Sequence, residues 1–285
     1  VLSVTLTIIT LVFAIGRTFY FFPNLLISWY APLVPLEEYY NYFLILWSSI
    51  AVIVFTILFF KDAPYGRFNT SDHAFQIPSR FGWIFMESPA VLGIFFCFYF
   101  FYDLIGMTQT LMCLIWLSHY LHRTLIWPLR AELHGRKMPL KIALLAFVFN
   151  TINIIIQCLW IFFLGNYLEE WITSGFFMLG CFIFYIGMYV NIYSDNILMN
   201  LRKTKGNGYH IPEGFLFKYV SCPNYLGEII EWLGWAILTL SPAGLVFFIW
   251  TFSNLVPRAK ANHQWAIDRI DNYPKGRKSI FPFVY

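Results

Sequence analysis

Residues 229–256 read IIEWLGWAILTLSPAGLVFFIWTFSNLV. A helical membrane crossing needs about 20 apolar residues, and this run exceeds that but breaks at Ser241-Pro242-Ala243-Gly244. Proline removes a backbone donor and clashes with the preceding turn, so the run reads as two helices joined by a turn rather than one kinked span. Comparable apolar runs occupy 1–16, 43–60, 84–102, 108–129, 141–165 and 172–193, which together predict seven or eight crossings. None of them alternates polar and apolar residues as a membrane β-strand would. The expected fold class is therefore all-α, a polytopic membrane helix bundle. The composition agrees: 12% of residues are charged and 59% hydrophobic, against about 25% charged in a soluble domain.

Lys and Arg collect on the cytoplasmic side of such a bundle. Here they fall in four stretches: Lys61 to Arg80, Arg123 to Lys141, Arg202 to Lys218 and Arg258 to Lys278. The turns near Asp103, Glu169 and Ser241 carry none, which predicts a cytoplasmic C-terminus. Arg17 is the exception, and the apolar segment before it reads as an uncleaved anchor or part of a longer span. The five cysteines lack CxxC spacing and read as apolar packers. Asn69-Thr70-Ser71 spells a glycosylation triplet, which this topology leaves on the cytoplasmic face.

The rest is one membrane domain without repeats. Its longest hydrophilic stretch, Asp195 to about Cys222, holds Gly206, Gly208, Pro212 and Gly214 and reads as a turn-rich loop. Strongly polar side chains within spans are costly and mark function by default. Glu87 reads as an acid preceding an apolar helix, with Pro89 near its first turn. His119, Tyr120, His122 and Arg123 lie within about one helical turn. They read either as a site or as an interfacial belt; no HExxH spelling or nearby carboxylate completes a metal site, and none is expected. Asn191, Asp195 and Arg202 form a helical stripe. Asn224, Glu228 and Glu231 share a face, where donor-rich ligands or paired arginines would satisfy the carboxylates. In the tail, Arg258, His263, Tyr273, Lys275, Arg277 and Lys278 precede an apolar end, Ile280 to Tyr285, that reads as docked. Basic tails commonly bind anionic lipid heads, whereas a docked one can close over a phosphate ligand. No GxGxxG or P-loop spelling occurs, so a Rossmann domain is excluded as a nucleotide site.

At these residues the sequence resembles the steroid 5α-reductase family, in its steroid-reducing branch. The motifs are Gly187-Met-Tyr-Val-Asn191-Ile-Tyr-Ser-Asp195, Tyr209-His-Ile-Pro212-Glu-Gly214, Asn224-Tyr-Leu-Gly227-Glu228 and Tyr273-Pro-Lys-Gly-Arg277-Lys. Met86-Glu87-Ser88-Pro89 and His119-Tyr120-Leu121-His122-Arg123 point to the steroid branch. The resemblance implies seven core transmembrane helices in a single reductase domain at 41–285, of which 187–285 mainly binds NADPH; it does not account for the extra apolar segment at 1–40. It implies NADPH-dependent reduction of the C4=C5 bond of a 3-oxo-Δ4 steroid, with Glu87 and Tyr120 at the C3 carbonyl. Asn191, Asp195, Arg202, Tyr209, Asn224, Glu228, Arg258, Tyr273 and Arg277 would line the NADPH cavity, and no metal is involved. The implied partners are a steroid-like lipid and membrane lipids but no nucleic acid, and the implied state is a monomer. The implied location is the endoplasmic reticulum membrane of a eukaryote or the inner membrane of a bacterium. Three positions depart from the common pattern: His210 where many members have Arg, Asn262 where many have His, and Ala266 where many have Tyr. The competing readings are a reductase of enoyl-CoA or polyprenol type, a membrane methyltransferase of the isoprenylcysteine type that uses S-adenosylmethionine, and a non-catalytic sterol-binding protein.

Overall fold

The computed structural model describes residues 30–61, 75–206 and 208–285, with side chains from residue 36 onward. Most of the expected N-terminal segment, together with Arg17, Arg67 and the Asn69 triplet, lies outside the described residues. Helix α1 spans Tyr30–Phe60. A short strand β1, Gln76–Pro78, leads into α2, Ser79–Phe101. Helix α3, Met107–Leu121, is prolonged by a π-helical turn, His122–Ile126, and a last turn, Trp127–Arg130. Strand β2, Lys137–Pro139, pairs antiparallel with β1, placing Ile77 opposite Met138. Helix α4 is Leu140–Leu159, followed by a π turn, Trp160–Leu164. Helices α5, Gly175–Lys205, α6, Pro223–Thr239, and α7, Pro242–Arg269, complete the chain. The all-α reading holds, apart from the one two-stranded pairing. Among the described residues, four stretches are long and apolar enough to cross a membrane: Leu36–Phe60, Ser79–Leu104, Leu140–Leu164 and Gly175–Lys205.

The run quoted first does divide. Leu240 adopts a left-handed backbone at φ 40°, ending α6, and the Ser241 hydroxyl accepts from the Gly244 amide at 2.8 Å, capping α7. Pro242 then occupies the first turn, where its missing N–H costs nothing. The reading of Pro89 is corrected. It lies well inside α2, which begins at Ser79. A proline there strands the carbonyl four residues back, and the Ser88 hydroxyl donates to that Phe85 carbonyl at 2.8 Å. The expected loop after Asp195 is also shorter. Helix α5 runs on to Lys205 because Arg202, Lys203 and Lys205 suit a helix C-terminus, and Gly206, at φ 80°, stops it.

Helices α5 and α6 make the closest approach in the bundle. A Cβ on Gly187 would strike the Glu231 backbone, and one on Gly227 the Asn191 backbone. Seven residues along each helix the pattern repeats, with Gly180 against Leu238 and Gly234 against Phe184. Small residues let two backbones meet where lipid offers no hydrophobic drive for association. Beside this seam Trp116, Trp232, Trp235 and Phe247 form the aromatic centre, with ring centroids 4.4–5.6 Å apart.

The basic stretches gather at one end. Arg80 donates to the Pro128 carbonyl, Arg130 to Asn196, and Lys260 to the Phe59 carbonyl. The opposite end is tied without Lys or Arg, by Trp171 to the Leu238 carbonyl, Tyr167 to that of Thr239, and Thr108 to that of Leu168. The tail is docked, as its sequence suggested. Val220 and Lys278 form a parallel bridge, the Ser221 and Cys222 amides donate to the carbonyls of Lys278 and Ser279, and Ile280 is fully buried. Ser221 Oγ lies 2.6 Å from His263 Nδ1 and 2.7 Å from the Tyr273 hydroxyl. His263 stands beyond the apolar part of α7. Burial, then the charges of Lys278 and Arg277, hold its imidazole below the usual histidine value of 6.5.

Two outcomes follow for stability. Gly180→Val should push α5 from α6 and cost about 1–3 kcal/mol, read as a lower thermal midpoint in detergent; an unchanged midpoint would contradict the seam. The folded state prefers neutral His263, so its contribution is complete above pH 6.5 and is lost as pH falls below that value. The protection factors of the amides at 278–281, taken relative to intrinsic exchange at each pH, should fall on acidification, and His263→Asn should remove that dependence.

Candidate active site

Polar side chains form two connected groups, one inside the bundle on α2 to α6 and one at its basic end, where α7 and the C-terminal tail contribute. Glu87 on α2 is held from α4: Asn150 Nδ2 donates to Glu87 Oε2 at 3.1 Å and to the Met86 carbonyl at 2.7 Å. Tyr120 on α3 is 3% exposed, its ring packed against Trp116, His119 and Trp232. Its phenol meets the side chain of Asn153, again on α4, and lies within reach of the Glu87, Glu228 and Glu231 charges. Among the described residues Glu87 and Tyr120 share no hydrogen bond. Neighbouring amides of one helix, three residues apart and so on one face, bring them together.

Deeper in the same interior, His119 Nδ1 lies 2.8 Å from Glu231 Oε1, a carboxylate with no exposed surface. Arg123, one turn further along α3, packs against the touching rings of Trp83 and Trp127, 4.9 and 5.0 Å from their centroids. Its guanidinium reaches Asp195 at 3.5 Å and Glu228 at 4.0 Å. Asn224 donates to Asp195 at 3.0 Å, while Asn191 donates to the Asn224 carbonyl at 2.9 Å. The expectation that arginine would satisfy the α6 carboxylates is met for Glu228, and a histidine serves Glu231. An interfacial belt is the wrong description of His119 and Tyr120, because both are buried at the centre of the bundle.

The second group lies at the basic end. Tyr273 and Arg277 stand together, the guanidinium 5.3 Å from the ring centroid, and Arg277 Nη2 donates to the Pro212 carbonyl at 2.8 Å. Arg277 is 6% exposed, yet its Nε and Nη1 have no acceptor among the described residues. Tyr209 packs on Trp265 with centroids 4.4 Å apart. Arg202 occupies the last turn of α5, within electrostatic reach of Asp195, and Arg258 is half-buried on α7. Residues 220–228 belong to both groups, through Ser221 on one side and Asn224 and Glu228 on the other. At the three departing positions, His210 donates to the Lys205 carbonyl at 3.1 Å, Asn262 reaches the Tyr225 hydroxyl at 3.5 Å, and Ala266 is buried.

The amides of α4 were missed from sequence. Asn150, Asn153 and Gln157 are polar residues in an apolar run at spacings of three and four, and the cost of burying them was the signal that would have found them.

The chain can be compared with known proteins. The family model described as 3-oxo-5-alpha-steroid 4-dehydrogenase matches residues 136–285. Steroid 5-alpha-reductase DET2 of Solanum lycopersicum is 42% identical over 256 residues, covering 87% of this chain and 98% of the relative. DET2 of Arabidopsis thaliana is 42% identical over 241 residues, 80% and 90% of the two chains. 3-oxo-5-alpha-steroid 4-dehydrogenase 1 of Bos taurus is 35% identical over 240 residues, 83% and 93%. With such identity spread along nearly the whole length of its relatives, the chain belongs to the 3-oxo-5-alpha-steroid 4-dehydrogenase family, a family of oxidoreductases.

Proposed function

We propose that this protein reduces the C4=C5 double bond of a 3-oxo-Δ4 steroid, with NADPH as reductant. The observation that carries the reading is the convergence of Glu87 and Tyr120, two buried polar groups from different helices, on adjacent amides of α4. The steroid reductase names of the relatives support the substrate class.

Adding a hydride to C5 of a conjugated enone drives negative charge onto the C3 oxygen, and a proton then joins C4. A donor fixed at that oxygen stabilises the charge as it develops. The Tyr120 phenol takes this role, and Glu87, oriented by Asn150, shares the contact or aligns the phenol. When bound, NADPH supplies the hydride. Asn191, Asp195, Asn224 and Glu228 together with Arg202, Tyr209, Arg258, Tyr273 and Arg277 would hold the cofactor. The fit rests on Arg277: a buried guanidinium with two idle donors calls for an anion such as a phosphate. The packed aromatics around Tyr120 exclude water, which strengthens every charge interaction there. By the positive-inside rule the basic end, with the tail and the cofactor residues, faces the cytoplasm. In a eukaryote the membrane is that of the endoplasmic reticulum.

Membranes containing the full chain, supplied with NADPH and a panel of Δ4-3-ketosteroids, should yield 5α-reduced products by mass spectrometry. Turnover of an enoyl thioester with none of the steroids would sink the reading. Tyr120→Phe and Glu87→Gln should each lower kcat by about 100-fold while NADPH affinity stays within about twofold. Asn224→Ala and Arg202→Ala should instead weaken NADPH binding by about tenfold. The opposite pattern would exchange the two roles.

A further inference from the structure

Among the described residues, Asn153 carries a buried donor that makes no geometrically complete hydrogen bond, although it lies beside the Tyr120 phenol. Its side chain is 3% exposed, and Nδ2 has no acceptor among the described residues. The orientation of the amide is determined by its neighbours. Trp235 Nε1, which can only donate, gives its hydrogen to Gln157 Oε1 at 3.0 Å, so Gln157 Nε2 points the other way, to the Ala243 carbonyl at 3.0 Å. The same Nε2 reaches Asn153 Oδ1 at 3.4 Å. Reversing Asn153 would set two donors against each other, so Nδ2 is the free end. The polar group beside that amide is the Tyr120 phenol. Leaving a buried amide donor unpaired is costly, and the cost is recovered only when something completes the bond.

We propose that Asn153 is a positioning residue of the reductive site: its Nδ2 donates to the phenol oxygen of Tyr120 when substrate is bound. The phenol gives its hydrogen to the substrate carbonyl, and the charge its oxygen takes up meanwhile is supported by the Asn153 donor. The chain Trp235, Gln157, Asn153, Tyr120 then ends on the reacting carbonyl, and each amide in it is oriented by the one before. This rests on the reading of Tyr120 as the carbonyl donor.

The test is a double-mutant cycle on the full chain in membranes, reading kcat and KM for a Δ4-3-ketosteroid, NADPH affinity and thermal midpoint. Asn153→Leu should lower kcat about tenfold with KM and NADPH affinity little changed. In the Tyr120→Phe background, which lacks the phenol oxygen, the same substitution should cost no more than about twofold. Losses that multiply in the double variant would mean that Asn153 acts independently of the phenol, and would overturn the proposal, as would an unchanged kcat in Asn153→Leu. Asn153→Ala provides a second variant if the leucine does not accumulate, with the same coupling expected. If Tyr120→Phe alone leaves kcat intact, the assignment of Tyr120 falls and this inference falls with it; if Tyr120→Phe is damaging and Asn153→Leu is not, only the inference falls.

Discussion

A guanidinium inside an apolar bundle must be answered from several directions, and Arg123 sets that demand for this fold. It packs against a contacting pair of indole rings and lies within 4.0 Å of carboxylates on α5 and α6. Burying one charge is expensive unless its partners are fixed in place. Asp195 is therefore held by Asn224, and Asn224 by Asn191. One turn earlier the same helix buries His119 against Glu231. Register among α3, α5 and α6 follows, because sliding any of them by a turn would strand a charge.

That register is achievable only because α5 and α6 meet at their glycines. Gly187 and Gly227 lie beside Glu231 and Asn191, so the polar cluster and the closest backbone approach occupy the same level of the bundle. The residues that resemble the family signature thus serve two physical ends at once. Gly227 brings the backbones together, and Asn224 and Glu228, three residues before it and one after, carry the polar contacts that such nearness allows.

Much of this was legible in the chain and some was not. The apolar runs and the break at Ser241-Pro242 were readable because bilayer thickness and the missing proline donor act locally. The stripes Asn191–Asp195 and Asn224–Glu231 were readable from helical spacing. Their partners were not, since Arg123 and His119 reach them across 72 and 112 residues of sequence. Pro89 was misread because a proline signals a first turn and an interior position alike. What distinguishes them is whether a neighbour such as Ser88 can take the stranded carbonyl. The α4 amides are harder to read because a neutral amide disturbs an apolar run less than a charge does, yet Asn150 and Asn153 stand behind both groups assigned to the carbonyl.

Helix α1 leaves a different kind of mark. It packs through Trp47 on Trp250 of α7, sends the Tyr40 hydroxyl to the Ile156 carbonyl of α4, and has its last turn capped by Lys260 of α7. During synthesis α1 emerges before either partner exists, and the capping lysine follows Phe59 by 201 residues. Its tyrosine is claimed once α4 is made, but its tryptophan face must wait until α7 leaves the ribosome. The contacts of α1 are thus completed by a late event, in which α7 reaches a helix made long before it.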